Sequence, residues 1–419
     1  KRQLKAWSAK WLEESGINTI ATEVEENADG TIASLTLNQT APAEHPVLRP
    51  HRLAVGFYDE DPATGKIVRT DRFELDVDGK STVVAAAAGK KRPAFILVND
   101  DDLTYTKLRF DADSLSFALA NLQHFDDALA RAVVWLSLWD MTRDGDLAAE
   151  KFIDTTLALL ATETESTTFR YALSCMSTTA WHYTAPDRRA DVVKHIAKEL
   201  WKLVIAAPGG SDQQFQLVTA YLGYGEEGDA EFAEHAQGLF DGSLIVAGLE
   251  IDNNFTWTII NALSSVKLID QAGIDAQLAK RDTTENREFA LGAHAVRGDA
   301  AAKEWAWNEA LNNADLTNMQ LEAVVRGFGA TPRPDLAEPY AAKYYDVVDW
   351  VWKNKSFHMA EALLEGLYPY YADPATLVEL GHRWLADHED ADNALKRIVR
   401  GNVESSQRTL KVRDFNATL

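Results

Sequence analysis

The chain has 419 residues, of which 46% are hydrophobic and 25% charged, so its length predicts two or three domains and its composition predicts a folded protein. Its 64 acidic and 42 basic residues give a formal charge of -22, which disfavours binding to nucleic acid or to anionic membranes and favours cationic groups such as peptide amino ends. The single cysteine, Cys175, excludes an intrachain disulfide and a Cys-rich metal site and favours a cytoplasmic location. No apolar run reaches the ~18 residues of a membrane span.

An amphipathic helix pattern opens the chain. In the stretch KRQLKAWSAKWLEESG, Leu4, Trp7 and Trp11 recur at the spacing of one helical face. The sequence begins with Lys1 rather than an initiator methionine and leads directly into this helix. We therefore interpret the chain as cut from something longer.

Strand-like alternation follows the first helix. The predicted strands cover residues 18–26, 31–39, 52–58, 67–77, 81–85, 95–98 and 104–110. Turn residues separate them, including Gly30 at the end of an Asn-Ala-Asp-Gly turn and the Asp78-Gly79 pair. Short strands of this number predict a small antiparallel β-sandwich.

From Ser114 onward the hydrophobic period is helical. Ser114 is a candidate N-cap, and Ser211 is another one after the helix-stopping Pro208-Gly209-Gly210. The predicted apolar faces include the sets Phe125, Leu129, Val133, Leu136 and Ile153, Leu157, Leu160. No fixed-period consensus repeats along these helices. The sequence therefore predicts a large, irregular α-solenoid of helical hairpins, whose concave surface is the candidate binding surface.

Three adjacent carboxylates, Asp100, Asp101 and Asp102, raise the question of a metal site. A calcium loop needs ligands at alternating positions, a central Gly and a distal Glu, and this run has none of that spacing. Adjacent side chains of an extended segment also point to opposite faces. We interpret the run as a solvated bend between two strands.

The histidines do not form a recognisable zinc motif. No pair has the His-Glu-x-x-His arrangement, and the nearest candidates are His358 with Glu361 and His388 with Asp392, neither with an obvious third ligand. We interpret these residues as surface or packing histidines.

Other catalytic motifs are equally weak. The sequence lacks a Gly-x-Ser-x-Gly elbow and a Walker loop, and the G-x-G-x-x-G letters at 223–228 have no preceding strand, which predicts an interhelical loop. Trp135 and Trp139 share a helix face at the ordinary spacing of core residues. A carboxylate pair for glycoside hydrolysis stays open, because no spacing selects one pair among 64 acids.

Five segments, in order, carry a resemblance to a known family. They are LKAWSAKWLEESGINTI, LRPHRLAVGFYD, ILVNDDDLTYTKLRFD, LARAVVWLSLWDMTRDGDL and SFHMAEALLEGLYP. Together they resemble the C-terminal half of the aminopeptidase N family of zinc metallopeptidases, closest to the actinobacterial type. The resemblance implies that residues 1–16 are the end helix of a catalytic domain, that 17–112 form the β-sandwich and that 113–419 form the helical domain.

The family's catalytic motifs do not occur in this sequence. They are the His-Glu-x-x-His helix with its downstream Glu and the Gly-x-Met-Glu-Asn loop that holds the substrate's amino group. We therefore assign no catalytic or metal residue and expect no cofactor here, with zinc in the full-length parent. The resemblance implies that this chain alone is inactive.

In the family the helical domain closes over the active site as a bowl that admits peptides. The resemblance implies the same role here, with a peptide substrate and the parent's N-terminal and catalytic domains as partners. Arg131 and Arg326 are our candidates for contacting a peptide's carboxylate, although Arg131 could instead pair with Asp127 and Arg326 could lie along a packed face. The alternative is a freestanding α-solenoid scaffold that binds a partner protein.

Overall fold

The computed structural model describes residues 4–419, apart from the side chains of Leu4 and Ala6. The predicted place of Leu4 on the first helix face therefore lies outside the described residues. The described chain forms two compact units, residues 4–177 together with Leu419, and residues 178–418. Residues 113–177, which we assigned by sequence to the helical domain, lie in the first unit, and the predicted division into domains stays a prediction.

The first unit contains seven strands in its described part. They are β1 (Thr19–Glu26), β2 (Ile32–Thr40), β3 (His51–Glu60), β4 (Ile67–Val77), β5 (Ser81–Val83), β6 (Phe95–Val98) and β7 (Lys107–Arg109). They form one sheet of order β5-β2-β1-β7 and a second of order β4-β3-β6. The predicted sandwich is confirmed, with one difference. Strand β7 runs parallel to β1, whereas the other pairs are antiparallel.

The acidic run between β6 and β7 is structural and only partly solvated, because its first carboxylate is buried and its third is exposed. Asp100 is 1% exposed and accepts hydrogen bonds from the Tyr58 hydroxyl at 2.6 Å and from Arg69 at 2.7 Å. Arg69 also donates to Asp101 at 2.7 Å and holds the pKa of that carboxyl below its usual range. Gly56 lacks the Cβ that would collide with the Asp100 carboxylate at 2.7 Å. The predicted bend between two strands is confirmed. Its description as solvated was wrong for Asp100, because arginines from β4 allow this carboxylate to be buried.

Helices complete the first unit. They are α1 (Leu4–Ser8, followed by a π-helical turn, Ala9–Glu13), α2 (Ala112–Asn121), α3 (Ala128–Asp144), α4 (Ala149–Leu160) and α5 (Ser166–Thr178). Lys107 and Arg109 on β7 each contact Asp144 of α3 at 2.6 Å, which ties a strand to the helices. The N-cap of α2 is Asp111, which accepts from the Ser114 amide at 3.0 Å. The Ser114 hydroxyl accepts from the Ile96 amide instead, so its predicted cap was wrong.

Helix α3 is buried on most sides. Leu129 and Leu136 of its predicted apolar face are 46% and 41% exposed, whereas Trp135 and Trp139 are buried in the core as predicted. Most residues from 130 to 142 are buried, on several faces of the helix. The spacing of its apolar residues therefore does not identify a single buried face.

The second unit is helical throughout its described length. Its helices are α6 (Arg189–Ala206), α7 (Asp212–Leu222), α8 (Ala230–Asp241), α9 (Asn253–Ser265), α10 (Gln271–Lys280), α11 (Thr284–Ala295), α12 (Ala300–Asn312), α13 (Asn318–Gly329), α14 (Pro334–Ala337), α15 (Ala341–Asn354), α16 (Phe357–Gly366), α17 (Pro374–Asp387) and α18 (Asn393–Asn416). Residues 223–228 form a loop between α7 and α8, as predicted. In the part of the chain that the structure describes, no helix combines the length and the apolar character needed to cross a bilayer.

The predicted cap of α7 is confirmed and can be tested. The Ser211 hydroxyl accepts from the Gln214 amide at 3.1 Å. We expect Ser211→Ala to lower the free energy of unfolding by about 1 kcal/mol and Ser211→Gly by only a few tenths, measured by urea denaturation. Equal stability of the alanine variant and the wild type would contradict this role for the hydroxyl.

The two ends of the second unit meet. Arg413 on α18 donates from Nε to the His182 carbonyl at 2.7 Å, and Asn416 donates to the Tyr183 carbonyl at 3.4 Å. His182 and Tyr183 belong to the π-helical turn Thr179–Tyr183 at the start of the unit. The helices of this unit therefore return to their starting point, which a solenoid with free ends does not do.

Candidate functional site

Arg131 lies within the packing of the first unit. It is 9% exposed, and its Nε and Nη2 donate to the two carboxylate oxygens of Glu163 at 2.9 and 3.0 Å. Its Nη1 donates to the Phe125 carbonyl at 2.7 Å. Asp127, the alternative partner considered from sequence, caps α3 instead. Peptide contact by Arg131 stays a prediction, but its three donor nitrogens already have protein partners.

Arg326 has a different environment. Its side chain is 74% exposed on α13, and its nearest carboxylate, Glu322, is 4.0 Å away. The guanidinium borders an open groove of about 530 Å³ between α13 and α16. The groove is lined by Glu322, Val325, Arg326, His358, Glu361, Ala362, Glu365, Gly366 and Tyr370. Arg326 can therefore reach a bound molecule without breaking a close ion pair.

The groove carries both signs of charge. His358 lies 3.3 Å from Glu322, and Glu361 and Glu365 add carboxylates from α16. Arg326 is the arginine among these lining residues. An extended peptide carries an ammonium group, a carboxylate and polar backbone, so a groove of this chemistry can contact all three.

The histidines considered from sequence do not assemble a zinc site. Within residues 4–419, no group of three or more His, Cys, Asp or Glu side chains is arranged to hold a metal ion. His388 contacts the Trp384 carbonyl at 2.8 Å and Asp349 at 3.0 Å, and His382 contacts Gln407 at 2.8 Å. The described side chains do not fit zinc, so we derive no catalytic step through a metal in this chain.

A second cavity of about 310 Å³ lies among the interhelical loops of the second unit. Its lining is Trp181, Gly225, Glu226, Glu227, Ser265, Val266, Thr331, Pro332 and Arg333. Glu227 closes one side through ion pairs with Lys267 at 3.0 Å and Arg333 at 2.9 Å. Burial raises the pKa of Glu226. The sequence predicted the loop at 223–228 but gave no sign that it borders a cavity.

Two features of the second unit were missed from sequence. Lys303 is 2% exposed, and its ammonium contacts the carbonyls of Ala295, Gly327 and Phe328 and the Thr331 hydroxyl at 2.6 to 3.2 Å. The other is a pair of arginines, Arg189 and Arg413, whose charges act on His182. Neither lies in a motif, because each depends on contacts between distant parts of the chain.

Comparison with known proteins agrees with this architecture. The family described as ERAP1-like C-terminal domain matches residues 95–408, which is most of the chain. The chain belongs to this family. The match begins at β6 and includes nearly all of the second unit, so the groove at Arg326 and the loop cavity both lie within the ERAP1-like C-terminal domain.

A curated relative extends the similarity to the remaining strands. The chain is 35% identical over 422 aligned residues to an Aminopeptidase N of Streptomyces lividans, covering 99% of this chain and 49% of the relative. The chain thus spans about half the length of the curated relative that it matches. The family resemblance predicted from the five segments is confirmed.

Proposed function

We propose that this chain is the non-catalytic C-terminal region of a zinc aminopeptidase that removes residues from the amino end of peptides. The observation that carries the proposal is the 35% identity along 99% of this chain to an Aminopeptidase N. The described residues provide no zinc ligand set, so the chemistry would come from the remaining part of the enzyme. In this proposal the zinc would be bound there, and a cytoplasmic location would fit the composition.

The role of the chain would be control of peptide access. The helical unit would close over the active site, with the enzyme's other domains as its partners. A formal charge of -22 supports this role, because an acidic wall attracts the ammonium end of a peptide and a free amino end is what an aminopeptidase requires. The exposed groove between α13 and α16 would be one surface that peptides contact.

Arg326 provides the test. In the intact enzyme we expect Arg326→Gln to raise KM about tenfold for peptides of several residues and to leave KM for alanyl- or leucyl-anilide unchanged. The reason is that only a longer substrate can extend to the groove, where the guanidinium would pair with its carboxylate. Steady-state kinetics on a series of peptide lengths measures both values.

Arg383→Gln is the matched control. Arg383 is also an exposed helical arginine with a Glu four residues earlier, at 2.7 Å, and it is absent from the lining of the groove. Its replacement should leave both kinds of substrate unaffected. Equal effects of Arg326→Gln on peptides and anilides would remove the proposed contact.

A further inference from the structure

Arg189 and Arg413 form a basic pair in the second unit. Arg189 is the first residue of α6, and Arg413 lies near the end of α18. Both arginines act electrostatically on His182, and the charge of Arg189 also acts on Arg413. Burial, with the charge of Arg189, lowers the pKa of Arg413 to about 10.

No carboxylate neutralises this pair. Among the described residues neither arginine forms an ion pair, although the chain contains 64 acidic residues. Glu226 and Asp373 act on the pair only through longer-range attraction. Two adjacent positive charges that are largely removed from water are costly unless an opposite charge accompanies them.

Arg189 has hydrogen-bond donors that are not used. Its Nε and Nη2 atoms are buried and have no hydrogen-bond partner in the part of the chain that the structure describes. A buried donor without an acceptor costs about 1–3 kcal/mol, and more when the group is charged. Such atoms in a folded protein need an explanation, and an acceptor from outside the chain, such as a water molecule or an ion, is one.

Two aromatic side chains that interact with the pair, His182 and Tyr371, add no negative charge. The ring of His182 stacks on Tyr371 at 4.8 Å, and its backbone carbonyl accepts from Arg413. Burial, with the charges of both arginines, lowers the pKa of His182 to about 4, and burial raises the pKa of Tyr371 to about 12. Both side chains are therefore neutral at pH 7, and the cluster keeps the charge of its two arginines.

We infer that Arg189 and Arg413 bind one small oxyanion, such as phosphate, sulfate or a carboxylate. The planar guanidinium presents paired donors that match the oxygen atoms of these anions, and the unused Nε and Nη2 of Arg189 form such a pair. Because Arg189 begins α6 and Arg413 lies on α18, the anion joins the two ends of the second unit. This inference does not rest on the proposed peptide role.

The test measures anion binding by the intact protein without any peptide. In chloride buffer of constant ionic strength, we expect phosphate and sulfate up to about 50 mM to raise the melting temperature, because a ligand that binds the folded state stabilises it. Isothermal titration with phosphate gives the affinity. Arg189→Gln and Arg413→Gln should each weaken that affinity about tenfold or more, a difference of about 1.4 kcal/mol. Arg400→Gln, an exposed arginine of the same helix, should leave it unchanged.

Arg189→Met separates anion binding from a purely structural role of the arginine. If the arginine binds an anion, this variant in chloride should be as stable as the wild type or more stable, because the buried unpaired charge is gone, and its melting temperature should no longer respond to phosphate. If the wild type neither binds phosphate, sulfate and acetate nor melts at a higher temperature with them, the inference is wrong, whether or not the variants fold.

Competition identifies the source of the anion. A peptide with a free C-terminal carboxylate and its amidated form are each added to the phosphate complex. Displacement by the free acid alone assigns the site to a peptide carboxylate, and displacement by neither assigns it to a free oxyanion. Both results keep the site, and equal displacement by the acid and the amide would contradict recognition of an oxyanion.

Discussion

Glu163→Gln is expected to lower the free energy of unfolding by about 3 kcal/mol at pH 7, because it leaves the buried guanidinium of Arg131 without its counter-charge. The Glu163 carboxylate accepts two hydrogen bonds from Arg131 and one each from the Thr164 and Glu165 amides, all at 2.8 to 3.0 Å. Urea denaturation of the wild type and the variant measures the difference.

The effect should depend on pH with a defined sign. Burial acts to raise the pKa of Glu163, but the hydrogen bonds from Arg131 and the Glu165 amide outweigh it and hold this pKa below its ordinary value of 4.5. A depressed carboxyl pKa contributes stability that is present above the ordinary pKa and lost as the pH falls through the folded one. The difference between wild type and Glu163→Gln should therefore narrow below about pH 4.5.

Glu199→Gln is the control for this pair. Glu199 contacts Lys202 at 2.6 Å on the surface of α6, so its loss should cost about 0.5 kcal/mol or less. A difference for Glu163→Gln as small as that of the control, or one that stays constant from pH 7 to pH 3, would contradict the account of the buried pair.

The second large effect is expected at Lys303. Replacing Lys303 by Met keeps the length of the side chain but removes the donor that joins the C-terminal ends of α11 and α13. The carbonyls of Ala295, Gly327 and Phe328 would lose this partner. Because each buried acceptor left unsatisfied costs about 1–3 kcal/mol, we expect a loss of at least about 3 kcal/mol in urea denaturation.

Lys353→Met separates this effect from the loss of any lysine. Lys353 is exposed on α15, and its replacement should change the free energy of unfolding by less than about 0.5 kcal/mol. If Lys303→Met were as stable as the wild type, the ammonium group would not be stabilising the helix ends, and the three carbonyls would need another hydrogen-bond donor.

Local chemistry made part of the fold predictable. The strand positions agree within a few residues because turn residues such as Gly30 and the Asp78-Gly79 pair mark where alternation stops. Ser211 was predicted correctly as a cap because Pro208, Gly209 and Gly210 end the preceding helix.

Longer-range packing was not predictable in this way. The apolar period of α3 misplaced Leu129 and Leu136 because the helix is enclosed on most sides. Asp100 looked solvated because the arginines that neutralise it lie about 30 residues earlier in the chain. The contact of Arg413 with His182 spans 231 residues, and no local pattern indicates it.

The candidate site shows the same limit. Arg326 and Arg131 were selected as arginines on helices, yet only the folded arrangement distinguishes an exposed guanidinium beside a groove from one bound to Glu163. The unpaired donors of Arg189 are likewise a property of the packing. The sequence can suggest which arginines are candidates, whereas distant residues in the fold determine whether a guanidinium is free to contact a ligand.

The most direct test of the central proposal is zinc content together with hydrolysis of alanyl- and leucyl-anilide. Both are measured for the 419-residue chain and for the aminopeptidase of which we propose it to be the C-terminal half. We expect zinc and turnover in the whole enzyme and neither in this chain alone. Stoichiometric zinc or turnover in the isolated chain would contradict the account and would require a metal site that the described side chains do not form.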